Sequence, residues 1–249
     1  MKSPAFRPCV VIPTYDNPAT IRRVVDGVRA AQIDVLVVDD GSGAECREQV
    51  LALGREQLVH VVRRAANGGK GAAVKTGFDA ALALGYTHAL QIDADGQHDL
   101  RDIPKFLDAS RSNPEALVLG YPVFDKSVPR GRLWGRQLTI ACTRVETGNR
   151  AITDPMCGYR VYPLGIAAET GRGTGDRMDF DIEIAVRLVW KGVRTVNLPT
   201  SVRYFGKDEG GVSHFHMWAD NCRITWMHTR LITMAVLRFL SWPVRRLLR

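Results

Sequence analysis

The residues able to do chemistry in this chain sit at the ends of apolar runs. Ala89-Leu90-Gln91-Ile92 leads directly into Asp93-Ala94-Asp95-Gly96-Gln97-His98. Asp93 and Asp95 are two positions apart on an extended segment, so their carboxylates project to the same side. Two carboxylates, with Gln97 as a further oxygen donor, suit Mg2+ or Mn2+, which complete their shells with waters and substrate phosphates. An Asp-x-Asp pair is also a common turn and capping element; its place at the mouth of an apolar strand favours the metal. Three other runs end in the same way, delivering Thr14-Tyr15-Asp16, Asp39-Asp40 and Asn67-Gly68-Gly69-Lys70-Gly71. Acidic clusters gathered at one rim repel one another unless a cation or polar ligand offsets them. Lys70, in a glycine loop at a helix start, has a phosphate-binding environment. The loop lacks the GxxxxGK[ST] spacing, and a tight strand-to-helix turn explains it equally well.

The elements that must position these groups follow from hydrophobic spacing. Cys9–Ile12, Val35–Val38, Leu58–Val62 and Ala89–Ile92 are short apolar runs, as expected of strands buried on both faces. Helices alternate with them. Asn17-Pro18 opens one whose Ile21, Val24, Val25 and Val28 share a face; a second passes through Val50 and Leu51; a third carries Val74, Phe78 and Leu82. Strands alternating with amphipathic helices specify a parallel sheet with right-handed crossovers, and ligands of such sheets bind beyond the carboxyl ends of the strands. After Leu117–Gly120 the pattern loosens. A helix is predicted over Trp134–Thr147, another over Phe180–Trp190, and two short strands near Val193–Leu198 and Val202–Phe205. One domain spanning residues 1–213 is expected, with 214–249 a separate basic helical segment.

The strings VVIPTYDN, VVDDGS, NGGKGAAVKTGF and DADGQH, in this order and spacing, resemble glycosyltransferase family 2 on the Rossmann-like GT-A fold. The Asp-Ala-Asp-x-Gln form is similar to the dolichyl-phosphate mannose synthase-like branch, and the resemblance covers about residues 8 to 205. It implies that Pro13, Tyr15, Asp16 and Asp40 line the nucleotide pocket, with Asp39 either capping the turn or sharing that role. Asp93 is then placed near the ribose and metal, and Asp95 and Gln97 near the metal and diphosphate. Asp154-Pro155-Met156-Cys157-Gly158-Tyr159-Arg160 resembles the family's Asp-x-x-Ser-Gly-Phe-Arg acceptor segment, with Cys157 for Ser and Tyr159 for Phe. Arg160 is there expected to grip phosphate in a bidentate contact. Asp179-Phe180-Asp181-Ile182-Glu183 resembles the branch's Phe-Glu-x-Glu helix start. Transfer to a hydroxyl with inversion needs a carboxylate base, for which Asp181 is the first candidate and Glu183 the second. A helix N-terminus favours acids for its own sake, and an acceptor that is already a phosphate needs no base. His214, after hinge glycines, is a candidate contact to the donor diphosphate or simply a surface residue. Arg130, Arg132 and Arg136 are placed to meet anionic groups or to lie on a solvated face.

The net charge of +8 calls for an anionic partner. Nucleic acid fits poorly, since no helix-turn-helix, zinc finger or aromatic-basic sheet pattern occurs. The five cysteines are scattered, without metal or redox spacing, as in a reducing compartment. No secretory signal and no apolar stretch approaching the ~20 residues of a membrane span are evident, so a cytoplasmic location is expected. Beyond Asp220 there is no acidic residue but six arginines, with Trp226, Trp242 and a helical apolar stripe. Such a segment fits peripheral contact with the inner face of the cytoplasmic membrane; packing on the domain or a homodimer interface are the alternatives, and Pro243 is expected to stop or kink the helix. The function expected is inverting, metal-dependent transfer of a sugar from a nucleotide-diphosphate donor to a lipid or lipid-phosphate acceptor. One rival is a sugar-nucleotide-forming nucleotidyltransferase, which should carry a Gly-x-Gly-Thr-Arg-like turn where Pro13-Thr14-Tyr15-Asp16 stands. The other is a catalytically silent scaffold that binds nucleotide sugar at the membrane.

Overall fold

A computed structural model describes residues 5–124, 130–149, 151–203 and 215–247. The first half alternates as expected: β1 (Pro8–Thr14), α1 (Pro18–Arg29), β2 (Val35–Asp39), α2 (Ala44–Leu53), β3 (Val59–Arg63), α3 (Lys70–Ala83) and β4 (His88–Gln91). The second half continues with α4 (Ile103–Ser112), β5 (Leu117–Phe124), α5 (Arg130–Thr147), β6 (Arg160–Pro163), α6 (Leu164–Gly171), α7 (Phe180–Trp190), β7 (Thr195–Val202) and α8 (Met217–Leu247). Seven strands form one sheet in the order β3-β2-β1-β4-β6-β5-β7. All run parallel except β6, which is antiparallel to both its neighbours. This is the α/β, mainly parallel architecture that the sequence implied.

Strand residues alternate between two cores, as the pleat requires. Val10, Ile12, Val35 and Val37 face α1, α2 and α4, where Ile21, Val25, Val50 and Phe106 meet them. Cys9, Val11, Leu36 and Val38 face α3, α6 and α7, against Val74, Phe78, Ala167 and Ile184. Met227 and Leu231 of α8 join this second core, so the C-terminal helix is docked along its middle. Each such fully buried aliphatic side chain contributes roughly 1.5–3 kcal/mol.

Four local features depart from expectation. Asn17 does not cap α1; its side-chain amide donates to the Tyr15 carbonyl, and Pro18 starts the helix. β6, α4 and α6 were not among the expected elements. Of the two short strands expected after residue 193, β7 takes in the first and extends it to Val202, carrying Pro199 opposite Tyr121; an edge strand tolerates a proline, and residues 204–205 of the second lie outside the described residues. α8 also continues through Pro243 to Leu247.

The reversed direction of β6 matters for the site. Its first residue, Arg160, registers with Gln91 at the end of β4. The segment leading into β6, residues 154–159, therefore arrives at the same rim where β4 releases Asp93 and Asp95.

Candidate active site

At the end of β1, Pro13 is buried in register with Val38, while Tyr15 and Asp16 are half-buried. Asp16 adopts a left-handed φ of 46°. Its N–H donates to Ser42 Oγ at 3.0 Å, and its carboxylate accepts from Gly43 N–H at 2.8 Å. This clasps the loops after β1 and β2 together. Asp39 caps the β2 turn by accepting from Ser42 N–H and also takes Arg63. Asp40 departs from its expected role as a base contact. Its buried carboxylate turns into the next loop, accepting from the N–H groups of Gly68 and Gly69 and pairing with Arg64 at 2.7 Å. A carboxylate so satisfied shapes the pocket wall.

Lys70, the first residue of α3, joins the two halves of the site. Its ammonium lies 2.7 Å from Asp93 Oδ1 and 2.7 Å from Asp181 Oδ2. Gln91 donates to the other Asp181 oxygen at 3.0 Å. Burial works against the Lys70 charge, but Asp181 and then Asp93 outweigh it and hold the ammonium above its ordinary range. Burial likewise opposes the Asp181 charge, and Lys70 followed by Arg160 brings that carboxyl below its usual range. Lys70 and Asp181 are therefore both ionised near neutrality.

Asp95 accepts from Gln97 N–H at 3.0 Å. Its carboxyl is raised, first by burial and then by repulsion from Asp93, the condition a cation would relieve. Among the described residues no three His, Cys, Asp or Glu side chains converge to hold a metal unaided. Two carboxylates and an amide oxygen, from Asp93, Asp95 and Gln97, would fit a cation that completes its shell with water and phosphate.

Residues 154–159 meet this group through Gly158. A Cβ there would lie 2.9 Å from the Asp93 carboxylate carbon, so only glycine lets the backbone approach. Gly158→Ala is expected to lower transfer at least tenfold and cost roughly 1–3 kcal/mol by overpacking, read as kcat and Tm; wild-type values for both would refute the contact. Asp154 anchors the same segment by accepting from the N–H groups of Met156 and Cys157 at 2.9 Å.

Three expected contacts lie elsewhere. Arg160 does not face a phosphate: it is fully buried and donates to the carbonyls of Cys157, Pro155 and Asp181. It braces residues 155–157 against the start of α7. Arg136 grips Asp154 in a fork and stacks over Phe124 at 5.1 Å. Glu183 is fully buried and its carboxylate is held by Arg187 and Arg230. His214 lies outside the described residues, and the side chains of Arg130 and Arg132 are likewise not described.

Two residues of this neighbourhood were not singled out from sequence. Gln91 is a polar side chain inside a buried strand, a legible signal. His98 packs its ring 5.2 Å from that of Tyr159, and burial lowers its pKa although Asp93 and Asp95 pull upward. A cleft of about 460 Å³ opens beside Gln97 and His98, bounded across by Phe124, Val202 and Arg203.

The doubly covered, mainly parallel sheet thus gathers carboxylates and a lysine at its carboxyl rim, where the ligands of such sheets bind. The chain belongs to glycosyltransferase family 2: the pattern of Glycosyl transferase family 2 matches residues 9–165. It is 32% identical over 223 residues to polyprenol monophosphomannose synthase of Mycolicibacterium smegmatis, covering 84% of this chain and 81% of that protein. It is 30% identical over 216 residues to undecaprenyl-phosphate mannosyltransferase of Micrococcus luteus, covering 78% and 82%. These relatives place it in the dolichyl-phosphate mannose synthase-like branch. Its fold also matches glucosyl-3-phosphoglycerate synthase from Mycobacterium tuberculosis, solved with Mn2+, UDP and glucosyl-3-phosphoglycerate. That match has a TM-score of 0.64 at 19% identity and covers 92% of this chain and 81% of that one.

Proposed function

We propose that this glycosyltransferase moves a sugar, with inversion, from a nucleotide-diphosphate donor to a lipid monophosphate at a membrane surface. The observation that carries the reading is Lys70, a cation joining the donor-side Asp93 to the acceptor-side Asp181 at one sheet rim. Asp93, Asp95 and Gln97 would hold Mg2+ or Mn2+, which neutralises charge developing on the diphosphate leaving group. A solved structure of this fold that contains Mn2+ and UDP supports the use of a divalent metal. The N-terminus of α3 offers its positive dipole end and the Lys70 ammonium to the diphosphate, while Asp40 holds the loop before it by taking the N–H groups of Gly68 and Gly69.

An acceptor phosphate oxygen attacks the anomeric carbon from the face opposite the diphosphate. The bond to the diphosphate oxygen breaks, and the nucleoside diphosphate leaves with the electron pair. A phosphate nucleophile has no proton to lose, so Asp181 need not act as a base. Its part is to hold Lys70, with Gln91, where the ammonium can meet phosphate oxygens. The names of the two mannosyltransferase relatives favour a polyprenyl phosphate.

Membrane contact is supported by α5 and α8. On α8, Trp218, Trp226, Val236, Leu237 and Leu240 fall on one charge-free side; Trp218 is 86% exposed and Trp226 68%. The intervening Thr229 and Thr233 hydroxyls donate to carbonyls one turn back, leaving methyl groups outward. On α5, Trp134, Leu138 and Val145 are exposed at helical spacing. No described helix is long and apolar enough to cross a membrane. We place the chain at the cytoplasmic face, peripheral on anionic lipid through the basic tail; a homodimer through the same surface is the alternative outcome of a liposome-flotation test.

Thermal shift with UDP- and GDP-sugars tests the donor reading. One donor with Mn2+ is expected to stabilise the fold by about 2.7 kcal/mol at a hundred times its Kd, and to be consumed only when a lipid phosphate is present. No stabilisation by any donor would overturn it. Stabilisation without transfer would point to the silent scaffold, and sugar-nucleotide formation from a sugar phosphate and a nucleoside triphosphate to the nucleotidyltransferase.

A further inference from the structure

We infer that Arg230, on the C-terminal helix, is a positioning residue of the transfer site, acting through Glu183 on the segments that hold Lys70 and Asp181. This rests on the function proposed above. Glu183 lies two residues after Asp181 in the first turn of α7, and its carboxylate is fully buried. A buried carboxylate demands cations and N–H donors, and three separate elements answer. Arg187 of α7 itself donates to Oε1 at 2.7 Å. Arg230 of α8 donates to both oxygens at 2.7 Å. The N–H of Gly175, in the loop before α7, donates to Oε2 at 3.0 Å.

That loop is in turn built against the start of α3. Ala72 N–H donates to the Asp176 carbonyl at 2.9 Å. A Cβ on Gly71 would come within 2.8 Å of the Gly175 carbonyl oxygen and 2.5 Å of Phe180 Cβ. Lys70 precedes Gly71, and Asp181 follows Phe180. The path from Arg230 is therefore short: Glu183, Gly175, then the backbone on either side of the Lys70–Asp181 ion pair. Without α8, Glu183 would keep Arg187 but lose the two bonds from Arg230 that span both its oxygens. Docking of the C-terminal helix and alignment of Lys70 are thus linked through one carboxylate. Arg230 is over a third exposed on its outer side, so its removal loosens this link without opening the core.

The experiment compares four full-length variants using a detergent-dispersed polyprenyl phosphate as acceptor. Arg230→Met is expected to lower kcat about tenfold with donor KM within twofold, as a misaligned site does, and Arg230→Lys to restore most of the loss. His228→Gln disturbs a different α8 contact, the 2.6 Å pair with buried Glu146; it should lower Tm while keeping kcat within twofold of wild type. Wild-type kcat in Arg230→Met, or an equal fall in Arg230→Met and His228→Gln, would overturn the inference. An Asp95→Ala variant separates the two layers. Transfer retained in that variant means the site reading itself has failed. An inactive Asp95→Ala beside a fully active Arg230→Met means only the Arg230 link has failed.

Discussion

Asp95→Ala is expected to reduce sugar transfer about a thousandfold, close to 4 kcal/mol of transition-state stabilisation, while Tm stays level or rises. Both halves of this result come from one arrangement. Asp95 is pressed against Asp93 with burial opposing its charge, so its removal relieves repulsion in the folded state. Among the described residues its one hydrogen bond is the local one from Gln97 N–H, so little packing is lost. Sites that do chemistry often carry such unfavourable charge at a cost in stability. Assays with Mn2+ and the preferred donor, alongside thermal unfolding, check both parts. Turnover near wild type would remove the metal role of this carboxylate.

Lys70→Met should do the opposite, costing both activity and stability. Two carboxylates, Asp93 and Asp181, lose their shared cation, and breaking a largely buried pair from one side costs about 3 kcal/mol. For a chain of this size that is a fall in Tm of roughly 6–12 °C. The gap should vary with pH in a definite way. A lysine held above its ordinary range stabilises below its unfolded pKa, and that contribution fades as pH rises through the folded value. A carboxyl held below its range stabilises above about pH 3.9, and that contribution fades as pH falls toward its folded value. Wild type should therefore exceed Lys70→Met by most between about pH 4 and 10, with the two converging in stronger acid. Denaturant midpoints across that range provide the measurement; a constant gap from pH 2 to 7 would show that Asp181 does not depend on Lys70.

The first half of the fold was legible because its strands are buried on both faces and read as unbroken apolar runs, with each loop punctuated by Asp or Gly. The gathering of carboxylates at one rim followed from that alone. β6 was not legible: Arg160-Val161-Tyr162-Pro163 contains a charge and a proline, and its apolar pair is too short to count as a period. Arg160 itself misled for a related reason. An arginine beside a glycine segment suggests anion binding, but backbone carbonyls take its donors, and no sequence pattern reports where carbonyls will point. Asp40 differed likewise, because the loop that captures it lies 28 residues downstream. The stripe on α8 was visible at helical spacing, whereas the split between its docked side, Met227 and Leu231, and its outward side needed the partner helices.

The single reversed strand has a consequence for how such a catalyst is assembled. Enzymes that join two substrates commonly bring one on each of two lobes and close them together. Here one strand running backwards returns the chain to the rim it has just left, so the segments proposed to meet the two substrates grow from adjacent backbone. The spacing between them is set by ladder hydrogen bonds rather than by a hinge. The two reactants are thus brought within reach by architecture, before any lobe has to move.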